Sequence, residues 1–142
     1  EYEGLTTADA DKQRIAADWA NDKPDLVLFE PFLLNDNGVI VIDDTLDHIE
    51  SIISQLKSDV PDAVVILQPP NPIYNATYYP KQVEKLEAFA KEKHYAYYDH
   101  WTAWPDYKSK EIDQYVDPES DLPTAEGAKR WAEALAEYFI AQ

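Results

Sequence analysis

Four segments of this sequence gather the side chains that could do chemistry. "EPFLLNDNG" (30–38) carries Asn35, Asp36 and Asn37, and "QPPNPIYNATYY" (68–79) carries Gln68, Asn71 and Tyr74. "DHWTAWPDY" (99–107) sets His100 between Asp99 and Asp106 with Trp101 and Trp104 beside it, and "DPESDLP" (117–123) is rich in carboxylates. An imidazole oriented by a carboxylate and shielded by indoles is the equipment of a general base. His100 therefore reads as a base steered by Asp99 or Asp106, or equally as a loop histidine bonded to backbone. Asn35 falls in a turn that Asn-Asp-Asn-Gly favours by itself. Asn71, Tyr74, Trp101 and Trp104 could line a cleft and stack on a polar ring such as a sugar.

Other chemistries find less support. The chain has no cysteine, hence no thiolate nucleophile and no cysteine metal site. The carboxylate runs lack an Asp-x-Asp-x-Asp-Gly calcium loop and read as solvated faces, so no metal and no cofactor is expected. His48 and His94 fall among charges on or at the end of helical patterns and read as solvated. Ser51, Ser54, Ser58, Ser109 and Ser120 all lie outside any Gly-x-Ser-x-Gly context.

These segments must be positioned by something. "DLVLFEPF" (25–32), "AVVILQPP" (63–70) and "YAYYD" (95–99) read as strands, and the first two are apolar on successive residues, as in a sheet covered on both faces. Helical patterns separate them. "TTADADKQRIAADWAND" offers Ile15 and Trp19 with Thr6 or Thr7 as cap, and "DDTLDHIESIISQLKSD" puts Leu46, Ile49, Ile53 and Leu56 on one face behind Asp43 or Asp44. "PKQVEKLEAFAKEK" starts on Pro80 and buries Val83, Leu86 and Phe89 or Ala90. A last helix over about 124–141 presents Trp131, Leu135, Tyr138 and Phe139. Strands alternating with helices long enough for parallel crossovers predict one α/β domain over 1–142, a three-layer α/β/α sandwich with a parallel sheet. In such a sheet ligands bind beyond the carboxyl ends of the strands, where the four polar segments fall.

Three strands are few for an open α/β sheet, and the chain starts on a helical pattern at Glu1 without a methionine. One or two strands are therefore expected upstream. The exposed edge would be covered by that segment or by a second copy in a homodimer. The net charge of −16, from 12 basic and 28 acidic residues, repels a phosphate backbone and an anionic membrane surface, so no nucleic acid is expected as partner. No apolar run approaches the roughly 20 residues that span a bilayer. Together with the absent cysteine, these features suggest an extracellular or cell-surface protein, otherwise a cytoplasmic one.

With these blocks in place, the sequence resembles the SGNH (GDSL-type) hydrolases. "PDLVLFEPFLLNDNG" is similar to their asparagine block, with Leu33-Leu34-Asn35-Asp36 where the family has Gly-x-Asn-Asp. "EYEGLTTADA" is similar to the glycine block, with Gly4 as its glycine, and "ESDLPTAEGAKRWAEAL" to the last block, with Pro123 and Gly127 in place. The resemblance implies a flavodoxin-like sandwich and an esterase or acylhydrolase acting on O-acyl esters of a small molecule or glycan. It also implies oxyanion donors at Asn35 and Gly4. Two blocks depart: the serine block would lie upstream of Glu1, and Leu122 holds the histidine position, so the usual serine–histidine pair cannot form here. This chain alone is then expected to be inactive by that route, with His100 as substitute base toward an upstream serine. The alternative is a degenerate domain that binds a glycan or a cell-surface partner without catalysis.

Overall fold

The computed structural model describes residues 4–140. Three parallel strands, β1 (Leu26–Phe29), β2 (Val64–Leu67) and β3 (Ala96–Tyr97), pair in the order β1-β2-β3. Leu26 faces Val64 and Ile66 faces Ala96. The strands are shorter than the apolar runs because the following prolines and turn residues leave the ladder at its carboxyl edge.

Among the described residues, six α-helices surround the sheet: α1 (Thr7–Lys12), α2 (Ile15–Asn21), α3 (Leu33–Asp36), α4 (Ile42–Asp59), α5 (Tyr79–Glu92) and α6 (Ala125–Ile140). Thr6 caps α1 with a reciprocal box: its Oγ1 accepts from the Asp9 N–H, and the Asp9 carboxylate accepts from the Thr6 N–H. The pattern expected as one helix is broken into α1 and α2, because Arg14 adopts a left-handed φ of 58° that re-aims Ile15 and Ala16 into the core. α4 starts at Ile42, one residue before the expected cap. Neither Asp43 nor Asp44 caps it; both sit in its first turn, where they favour the helix dipole.

The main core lies on one face of the sheet. Ile49, Ile52, Ile53 and Leu56 of α4 pack with Val83, Leu86 and Ala90 of α5, Phe29 of β1 and Leu67 of β2. Each such side chain contributes about 1.5–3 kcal/mol of burial. The second face is covered by α6 near β3, where Tyr138 packs on Tyr98 with ring centroids 4.8 Å apart. Toward β1 that cover stops: Leu26 is 42% exposed, and in α6 Trp131, Leu135 and Tyr138 are only half-buried and Phe139 is exposed. Within the described residues, the free edge of β1 and the apolar stripe of α6 therefore stand side by side.

Candidate active site

A groove of about 690 Å³ runs along that free edge and around its carboxyl end. Trp19 of α2 and Trp131 of α6 form opposite walls, with Leu26 and Leu28 between them. At the carboxyl end the groove is closed by Gly4, Glu30, Asn35, Asn71 and Leu122.

The asparagine segment folds as the short helix α3, and its polar groups fasten the loops around it. Asn35 donates its Nδ2 to the carbonyl of Leu5 at 2.6 Å, which brings it beside the Gly4 turn. Gly4 has φ +76°, a left-handed geometry suited to glycine. One N–H of the Asn35 amide is spent on Leu5, and the second has no protein acceptor among the described residues. Asp36 is buried and accepts from the Thr7 N–H and from Thr45 Oγ1, both at 2.8 Å. It ties α1 to α4 and thereby fixes its neighbour Asn35.

Glu30 follows β1 directly. Its carboxyl has no hydrogen-bond or ion-pair partner among the described residues. Glu30 is exposed at the groove, and desolvation by the neighbouring atoms raises its pKa above the ordinary carboxylate value. Leu122 also lines the groove and is 61% exposed to solvent. Its loop is closed by the Asp117 N–H donating to the Leu122 carbonyl at 2.9 Å. Asn71 is buried and holds that loop from the other side: its Nδ2 donates to the carbonyls of Pro72 and Asp121.

His100 lies elsewhere, sealed in an aromatic cage with 1% exposure. The indole Nε1–H of Trp104 donates to its Nδ1 at 2.9 Å, which makes Nδ1 the acceptor and Nε2 the protonated nitrogen. That Nε2–H donates to the carbonyl of Pro69 at 2.6 Å, and Trp131 stacks on the ring at 4.2 Å and 17°. Burial lowers its pKa to about 4, so the ring is neutral across the ordinary pH range. Neither expected partner orients it. The Asp99 carboxylate accepts from the Trp101 N–H and that of Asp106 from the Lys108 N–H, each closing a local turn.

The aromatic residues expected to line the cleft also serve the scaffold. Trp101 donates Nε1–H to Pro70 and packs on Tyr79, while Tyr74 sits under the Lys110 ammonium at 4.0 Å. Neither borders the groove, nor does Trp104. His48, expected as solvated, instead pairs with Asp11 at 2.8 Å, and Ser51 donates to the same carboxylate. The aromatic walls of the groove are residues that periodicity assigned to helix cores, Trp19 and Trp131. Glu30 was also missed; the signal for it was a carboxylate ending a continuous apolar run just before Pro31. Among the described residues, no group of three or more His, Asp or Glu is placed to hold a metal ion. No described helix is long and apolar enough to cross a membrane.

No family model matches the chain, and no curated protein matches it. Solved structures do. An acetyl esterase mutant with acetate ion superposes with a TM-score of 0.78 at 16% identity, covering 99% of this chain and 69% of that one. A lipolytic protein of the G-D-S-L family from Desulfitobacterium hafniense superposes at 0.76 and 21% identity over 94% and 75%. A carbohydrate esterase of family 3 from Talaromyces cellulolyticus superposes at 0.78 and 16% over 99% and 69%. Nearly all of this chain is matched, while a quarter to a third of each neighbour has no counterpart in it. The sandwich, with its groove at the carboxyl edge of β1, is the SGNH-type hydrolase fold of the GDSL esterases and acylhydrolases.

Proposed function

We propose that the full-length product containing this chain is an ester hydrolase acting on O-acyl groups of a small molecule or a carbohydrate. The observation that carries this reading is the juxtaposition, in one groove, of Gly4 and Asn35, joined through the Asn35–Leu5 hydrogen bond. A backbone N–H and a side-chain amide facing one point are the donors a tetrahedral oxyanion needs. The nucleophile is a serine on a strand N-terminal to Glu1, laid along the free edge of β1 and against the open stripe of α6. Its hydroxyl attacks the acyl carbon, the alcohol leaves, and water then releases the acid.

His100 has a structural role in this reading, since both ring nitrogens are engaged within the cage. Asp99 and Asp106 stabilise their own turns. Tyr74, Trp101 and Trp104 position loops; stacking of a sugar ring falls to Trp19 and Trp131. An acyl-carbohydrate substrate agrees with the carbohydrate esterase among the structural neighbours. Such a substrate would be met at a cell surface.

Intact-mass spectrometry of the full-length product, before and after a serine-reactive fluorophosphonate, tests this. A single adduct on a serine outside residues 1–142 is expected. Leu122 in the groove favours a second reading, a domain that binds glycan esters without cleaving them. That domain would bind acetylated oligosaccharide and take up no probe.

A further inference from the structure

We propose that Glu30 is the general base of this groove, taking the proton of the attacking serine hydroxyl in the place of the histidine that Leu122 displaces. This rests on the ester-hydrolase reading above.

The argument is one of position and elimination. Among the described residues, two titratable side chains line the groove, Asp22 and Glu30. Asp22 ends α2 ahead of the amino end of β1, whereas Glu30 follows its carboxyl end. Four residue steps at 3.3 Å put Leu26, at the amino end of the strand, about 13 Å from Glu30, and Asp22 lies on the amino-end side. Gly4, Asn35 and Leu122 are at the Glu30 end. A strand laid parallel on the free edge of β1 would run about 4.8 Å from it, so a residue just past that strand comes within side-chain reach of Glu30.

The surroundings suit a base. From α5, Tyr79 is a buried phenol whose ionisation is opposed by burial first and by the Glu30 charge second. From α6, the Arg130 guanidinium is committed to the Ala103 carbonyl and the Tyr115 hydroxyl. From the aromatic cage, His100 is neutral with both nitrogens in use. No described cation thus pairs with Glu30. An unpaired carboxylate with a raised pKa is a stronger base than an ordinary glutamate.

The steps balance. The serine Oγ–H proton passes to the Glu30 carboxylate as the Oγ–C bond forms, and the resulting carboxylic acid protonates the alcohol oxygen as the C–O ester bond breaks. Water then repeats the sequence: its proton goes to Glu30 as it attacks the acyl carbon, and Glu30 returns a proton to the serine oxygen. Leu122, aliphatic, takes no part in the proton transfers.

The test is steady-state hydrolysis of p-nitrophenyl acetate by the full-length product against pH, for the wild type, Glu30→Gln and Glu30→Asp. The wild-type kcat/KM should rise with pH through a limb centred near 7 and level off about one pH unit higher. Glu30→Gln should cut kcat roughly 10²–10⁴-fold, leave KM within a few-fold and remove that limb. Glu30→Asp, a carboxylate one methylene short, should keep the limb at a reduced rate, and it decides the matter if the glutamine variant does not fold. Leu122→His in the Glu30→Gln background should restore part of the rate. A Glu30→Gln enzyme with wild-type rate and profile, or an aspartate variant with the rate loss but no limb, overturns the role of Glu30 alone. A wild-type product that neither hydrolyses the ester nor takes up fluorophosphonate overturns the hydrolase reading and the base with it.

Discussion

The Trp104 indole N–H donates to Nδ1 of His100 at 2.9 Å, and that one bond fixes the tautomer of a fully buried imidazole. With Nε2–H turned to the Pro69 carbonyl, the ring bridges the end of β2, the loop after β3 and, by stacking, Trp131 of α6. Trp104→Phe keeps an aromatic ring but orphans Nδ1. Equilibrium urea unfolding should show a loss of about 1–3 kcal/mol, the cost of an unsatisfied buried acceptor.

The same cage makes stability depend on pH. The His100 pKa falls from its ordinary 6.5 to about 4 on folding, so between those values the unfolded chain binds more protons. Its contribution is complete above pH 6.5 and is lost as pH drops toward 4, by roughly 3 kcal/mol. Glu30 runs the other way: its pKa is raised on folding, so stability falls as pH rises through that window, by less than a buried group would give because its side chain is exposed. Thermal melts from pH 4 to 8 should therefore show a steeper acid loss in Glu30→Gln than in wild type. Equal slopes would contradict the opposing signs.

Gly127 sits in the first turn of α6 against the Tyr115 backbone. A methyl group there would overlap the Tyr115 carbonyl and press on the Trp104 ring. Gly127→Ala should destabilise by about 1–3 kcal/mol despite alanine's better helix propensity. Denaturant titration decides: a neutral or stabilising result would mean that α6 does not dock as closely as described.

Asp36 receives two hydrogen bonds from different elements, the Thr7 N–H and Thr45 Oγ1. Asp36→Ala leaves both donors buried and unpaired, and should cost about 3 kcal/mol or more in chemical denaturation.

Asn35→Ala addresses the proposed oxyanion site. In the full-length product it should lower kcat for p-nitrophenyl acetate roughly 10²–10³-fold while the protein still melts cooperatively. A rate within a few-fold of wild type would assign Asn35 to the Leu5 contact only.

Much of the scaffold was legible in the sequence, because burial leaves a one-dimensional mark. Continuous apolar runs located all three strands, the 3.6 spacing of Ile49, Ile53 and Leu56 defined the buried face of α4, and Val83, Leu86 and Ala90 defined that of α5. The break at Arg14 was not legible, since a left-handed residue that redirects a helix is selected by the core it serves and not by its neighbours in sequence. The asparagine and final-helix blocks placed Asn35 and Leu122 at one sheet edge because a parallel sheet brings its carboxyl-end loops together.

What each polar group does there was decided only by tertiary structure. In sequence, His100 between two aspartates and two tryptophans looks like a base with its orienting carboxylates. In space the carboxylates turn back to their own loops, and an indole and a carbonyl take both ring nitrogens. Glu30 carries no mark beyond its place at the end of an apolar run. It stands exposed at the carboxyl end of β1, in a groove assembled from α2, α6 and the free edge of β1, elements remote from one another in sequence. Hydrophobic periodicity is a local property and is written along the chain; hydrogen-bond partnership and dielectric environment belong to the packed assembly and exist only once it has formed.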